Sequence, residues 1–134
     1  MSRSLIQTAN PSAQAVAVNG IINLGSVLRR FGCNCRLSGN AIEIEGEGYY
    51  EVDAAITVSP NAAGNTTVAM YIDGVAYPAA IATGGITTVG NSETIPIITT
   101  IRKGCCCDGA SSITFVLTAG AATVNNISVR IKKS

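Results

Sequence analysis

The chain has 134 residues, enough for one domain with a core of its own. Hydrophobic residues make up 47% of it and charged residues only 13%, with a net charge of +1, so nothing electrostatic recommends a nucleic-acid partner. No apolar run approaches the roughly 20 residues of a membrane-spanning helix, and the complete lack of histidine removes the usual general base and triad partner.

A charged share about half the usual ~25% leaves two readings. Either other chains cover part of the surface, or a small monomer presents a Thr-, Asn- and Ser-rich polar face. The apolar residues are mostly Ala, Ile and Val, and Thr is abundant. β-branched side chains fit a pleated surface and lose rotamer freedom in a helix. The composition therefore favours strands.

In chain order, the opening Met1-Ser-Arg-Ser-Leu-Ile-Gln-Thr lacks the uninterrupted apolar segment of a secretory signal, so export by the general secretory route is not expected. Ser26 to Phe31 comes nearest to a helical period but is too short and ends at Gly32. Ile42 and Ile44 alternate with Glu43 and Glu45 ahead of a Gly46-Glu47-Gly48 turn. Tyr50, Val52, Ala54, Ile56 and Val58 share one face of a half-buried strand, with Glu51, Asp53, Ala55 and Thr57 on the other. Val68, Met70 and Ile72 alternate likewise up to Asp73-Gly74, a hairpin signal. The return strand runs from Val75 to Thr83, with Pro78 predicting an edge position or a bulge.

Later strands follow at Ile95, Ile97, Thr99 and Ile101, at Ile113, Phe115 and Leu117, and at Ile127, Val129 and Ile131. Lys132 and Lys133 read as a solvated end. The spacers are turn chemistry, including Ser59-Pro60-Asn61, Ala63-Gly64-Asn65, Gly90-Asn91-Ser92 and Asp108-Gly109. About nine or ten short strands at regular spacing predict one all-β sandwich or barrel. Ile98 and Val116 stand out of phase with their strands' apolar faces, as on a strand buried on both sides. A neighbouring subunit could cover them, or they are ordinary exposed apolar residues.

Few residues offer chemistry. Glu43, Glu45, Glu47 and Glu51 could be imagined as paired hydrolase carboxylates, but strand alternation puts such residues on a solvated face. Asp53 and Asp73 lack the spaced acidic loop of a calcium site. Cys33 and Cys35, with the consecutive Cys105, Cys106 and Cys107, are the unusual feature. Cys33, Cys35, Cys105 and Cys107 could give four thiolates to a metal, although structural zinc ligands are usually spaced by two or more residues. Disulfides between the two segments would leave an odd thiol. Reduced thiols packed as small apolar residues are the leading expectation, and catalytic thiols lack a histidine partner. No cofactor is expected.

The run Gly48-Tyr49-Tyr50-Glu51-Val52-Asp53-Ala54-Ala55-Ile56-Thr57-Val58 resembles the early strand of tumour necrosis factor-like and complement-head-like jelly rolls, where a Gly-x-Tyr segment leads into a long alternating strand. Val68-Ala69-Met70-Tyr71-Ile72-Asp73-Gly74, Thr94 to Arg102, Ile113 to Leu117 and Asn126 to Ile131 are similar to the pieces that follow, in the same order. The flavour resembles bacterial and phage members, among them C-terminal domains of spore-surface collagen-like proteins and small phage structural proteins; the Arg102-Lys103-Gly104-Cys105-Cys106-Cys107 turn is similar to theirs. The resemblance implies a two-sheet jelly roll of about ten antiparallel strands that forms a homotrimer. Residues 21–134 would be the jelly roll and residues 1–20, with Pro11 and the run Ala15-Val16-Ala17-Val18, an arm or an extra strand lying on a neighbour. Ile98, Val116 and Tyr49 are then the candidate contacts between copies.

No collagen-like or coiled-coil stalk precedes the jelly roll, as a spore filament head would need. The expectation is a non-enzymatic structural protein of a phage particle, decorating the capsid or forming part of the tail or baseplate. It would be assembled in the host cytoplasm with other virion proteins as partners, without nucleic acid or membrane. The alternative is a receptor- or glycan-binding trimeric head, although aromatics are only 4% and Tyr49, Tyr50, Tyr71 and Tyr77 would have to serve as sugar platforms.

Overall fold

A computed structural model describes residues 4–32, 34–60, 64–86, 92–103 and 111–133. Cys33 and Cys105, Cys106 and Cys107 lie outside the described residues, so the metal and disulfide expectations resting on them are not addressed by it. Twelve strands make up the described chain: β1 (Ser4–Asn10), β2 (Gln14–Val16), β3 (Gly20–Ile21), β4 (Ser26–Phe31), β5 (Cys35–Ser38), β6 (Ala41–Ile44), β7 (Gly48–Pro60), β8 (Gly64–Ile72), β9 (Val75–Ile86), β10 (Glu93–Lys103), β11 (Ser111–Ala119) and β12 (Ala122–Lys133). Period-two alternation of apolar residues builds the long ones other than β9, and the two sheets close over one another as an antiparallel jelly roll.

Sheet A runs β10-β7-β12-β1-β4, with β2 also beside β12; sheet B runs β5-β6-β11-β8-β9, with β3 beside β11. The predicted alternation of β7 holds: Tyr50, Val52, Ile56 and Val58 are fully buried. In register, Ile56 faces Ile127 and Val52 faces Ile131 on β12. From sheet B, Ile42, Val68, Met70, Ile113, Phe115 and Leu117 complete one core. Asp73 and Gly74 both take positive φ, 52° and 83°, which suits the tight turn that Asp-Gly favours. β9 is an edge strand, and its pairing with β8 slips between Ala69 and Tyr71, opposite the segment that contains Pro78. The proline sits where a missing ladder donor is tolerated.

Ser26 to Phe31, which shows no strand alternation, is strand, pairing with β1, and every one of its residues is exposed. Ser4–Asn10 forms β1 between β12 and β4, with Ile6 fully buried.

Candidate functional site: the outer face of sheet A

The long strands β10, β7, β12 and β1 lie side by side, so their outward positions form rows across sheet A. One row holds Ile98, Asp53, Arg130 and Gln7 in register. The next holds Pro96, Ala55, Ser128 and Ala9, and a third holds Thr100, Glu51, Lys132 and Leu5. Ile98 is 76% exposed, on a strand whose inward Ile95, Ile97 and Ile101 are buried. The short side chains of Ala55 and Ser128 leave a shallow depression of about 340 Å³, bordered by Ile98, Pro96, Gln7 and the Asp53–Arg130 pair.

The charges at its floor neutralise one another. The Arg130 guanidinium donates to the Asp53 carboxylate from the adjacent strand. A paired charge can be covered by another chain at far lower cost than a lone one. Toward one end, the Arg102 guanidinium stands 6.0 Å from the centroid of the Tyr49 ring, within cation–π range. Tyr49 is 55% exposed.

The structure therefore brings Ile98 and Tyr49 to one face and sends Val116 elsewhere. Val116 lies on β11 of sheet B, paired with Ala69 and Ile21, and is only 7% exposed within the single chain. Its odd phase reflects burial by this chain's own residues, and it is not retained among the contacts between copies. The sequence places Asp53 and Ala55 on the outward face of their strand but does not mark Pro96, Ser128 or Arg130 as their neighbours. Pro96 shares the out-of-phase apolar signal of Ile98, whereas the Asp53–Arg130 pair spans residues whose adjacency only the register reveals.

Glu43, Cys35 and Tyr50 have structural surroundings. Glu43 pairs with Arg36 at 2.5 Å on the neighbouring strand. Cys35 is a buried free thiol, 1% exposed. Burial pushes its pKa up to about 11, against the lowering effect of the Arg30 and Lys133 charges, so it stays a protonated thiol at neutral pH. Tyr50 donates to the Glu45 carbonyl at 2.6 Å, with the Gly46 carbonyl at 2.9 Å, and burial lifts its pKa to about 12. Among the described residues, no three His, Cys, Asp or Glu side chains converge on a metal position.

No sequence-family profile and no curated protein matches the chain. Solved structures do. Murine APRIL superposes with a TM-score of 0.75 at 8% identity, covering 99% of this chain and 100% of that one. The globular domain of zebrafish complement 1qA protein superposes at 0.69 and 6% identity, covering 96% and 94%. The PRD1 vertex protein P5 superposes at 0.61 and 12% identity, covering 97% and 96%. The chain thus has the tumour necrosis factor-like jelly-roll fold that its strand signatures resemble. At these identities the likeness is one of fold.

Proposed function

We propose that the chain is a non-enzymatic structural protein of a phage particle, a homotrimer whose copies meet through the outer face of sheet A. The observation that carries the assembly is the exposed Ile98 beside Pro96, above a depression floored by small side chains and a neutralised ion pair. Apolar groups on an outer sheet face lose contact with water when a second copy covers them, at about 25 cal/mol per Å². The sparse surface charge points the same way.

Placement in the virion is supported by likeness, over nearly the whole of both chains, to a phage vertex protein. A compact jelly roll with its β1 strand tied into sheet A suits capsid decoration slightly better than a tail position. The chain should be detected by mass spectrometry in purified virions and should co-sediment with empty capsids rather than with tails. Absence from particles, with the chain found only in host fractions, would end the virion reading. A receptor- or glycan-binding head remains the second reading, and the cavity described next is the observation that favours it.

A further inference from the structure

Lys103 ends β10 on its inward phase, two residues after buried Ile101, and is itself only 7% exposed. Burying the stem of a lysine is cheap as long as its ammonium keeps a polar outlet. Lys103 joins neither the Arg36–Glu43 nor the Arg130–Asp53 ion pair and has no hydrogen bond to a described residue. It lines a cavity of about 410 Å³ at one end of the sandwich, where β10 of sheet A meets the β8–β9 hairpin of sheet B. That volume lies within the range of about 300–1,000 Å³ common for small-ligand sites.

The cavity has two chemistries. Ile44 and Ile72 make apolar wall, while Ser111, Tyr77 and Asp73 add polar groups. The polar parts are held rigidly. The Tyr77 hydroxyl donates to the Thr100 carbonyl at 3.0 Å, fixing the hairpin against β10. Asp73 accepts from the Ser112 amide at 2.9 Å and returns its own amide to the Ser112 carbonyl at 2.8 Å. Arg102 also lines the cavity, with its exposed guanidinium 6.0 Å from the Tyr49 ring centroid, so Lys103 is the cavity's buried cation.

The structure assigns this cavity to a monosaccharide-sized anion, a sugar carboxylate or sugar phosphate. Lys103 would receive the anionic group, and Asp73 with Ser111 would receive ring hydroxyls. A bare inorganic anion would satisfy Lys103 but face the Asp73 carboxylate, which is why a hydroxylated ligand fits better. The site lies within one chain, so its occupancy is independent of the assembly proposed above.

Calorimetric titration of the full chain with glucuronate, glucose 6-phosphate, glucose and inorganic phosphate tests the assignment. At least one of the two sugar anions should bind saturably and glucose should not. Lys103→Met should weaken that binding by about tenfold or more, the scale of one lost charge-assisted hydrogen bond. Because that variant could fold poorly, amide shifts in the wild-type chain give a second measure, and these should concentrate at Ile44, Ile72 and Ser111. No saturable binding of either sugar anion, shifts mapping to another face, or undiminished affinity in a folded Lys103→Met chain would each overturn the site. Inorganic phosphate binding as tightly as glucose 6-phosphate would overturn its assignment to a saccharide.

Discussion

Cys35 and Tyr50 stand together near one end of the core, and both resist ionisation chiefly because they are buried. The thiol's folded pKa of about 11 lies above its ordinary value of 9.0, so the unfolded chain releases that proton first as pH rises. Its contribution is fully present below pH 9 and is lost between about 9 and 11. Denaturant titrations at stepped pH should show stability falling over this window, by at most ~1.4 kcal/mol per pH unit for one group. The Cys35→Ala chain should lose part of that slope; an unchanged slope would mean that Cys35 is not held neutral. Tyr50→Phe removes the hydroxyl that holds the Glu45–Gly46 turn and should cost about 1–2 kcal/mol at neutral pH, read from urea midpoints. The sequence marks Tyr50 as inward by alternation, but the turn carbonyls that receive its hydroxyl are not visible there.

Among the elements, period-two alternation makes β7, β8, β11 and β12 legible, because each carries an inward row of large or branched apolar side chains. The strand β9 follows from the Asp73-Gly74 turn, since Ala80 and Ala82 face inward while Val75 and Ile81 are exposed. β4 escaped the reading. Val27, Leu28 and Phe31 are all substantially exposed, so Ser26–Phe31 offers no buried phase, and its strand conformation comes from pairing with β1. Lys103 and Lys133 occupy the inward phase after Ile101 and Ile131. This signal was legible, yet Lys133 read as a solvated end and is 9% exposed.

The approach to β4 depends on Gly25, whose φ is +80° and where a Cβ would be driven into the Ala9 carbonyl oxygen of β1. Gly74 also has positive φ, but a Cβ there meets nothing within 4 Å. Gly74→Ala should therefore cost about 1–2 kcal/mol of conformational strain alone. Gly25→Ala adds overpacking and should cost about 3 kcal/mol or more. Thermal or urea unfolding of the two variants checks the order, and equal losses would contradict the close packing of β4's entry against β1.

For the whole molecule, the jelly roll was legible because strands, turns and their order all agree, and superposition on solved structures of little sequence identity shows the same fold. The candidate interface was legible only in part. Ile98 shows itself by breaking phase, while Val116 breaks phase for an internal reason and Asp53–Arg130 needs the register of β7 on β12. Only an arrangement of strands distinguishes an apolar residue covered by its own chain from one left to a neighbour.

The most direct test of the account is light scattering coupled to size exclusion at micromolar concentration, on the wild-type chain and on Ile98→Asp. Since Ile98 is 76% exposed, the substitution should leave the fold intact, with an unchanged far-ultraviolet circular dichroism spectrum. The account predicts three times the chain mass of 13.7 kDa for the wild type and a shift toward single-chain mass for the variant. A monomeric wild-type chain, or a variant that stays fully trimeric, would contradict it.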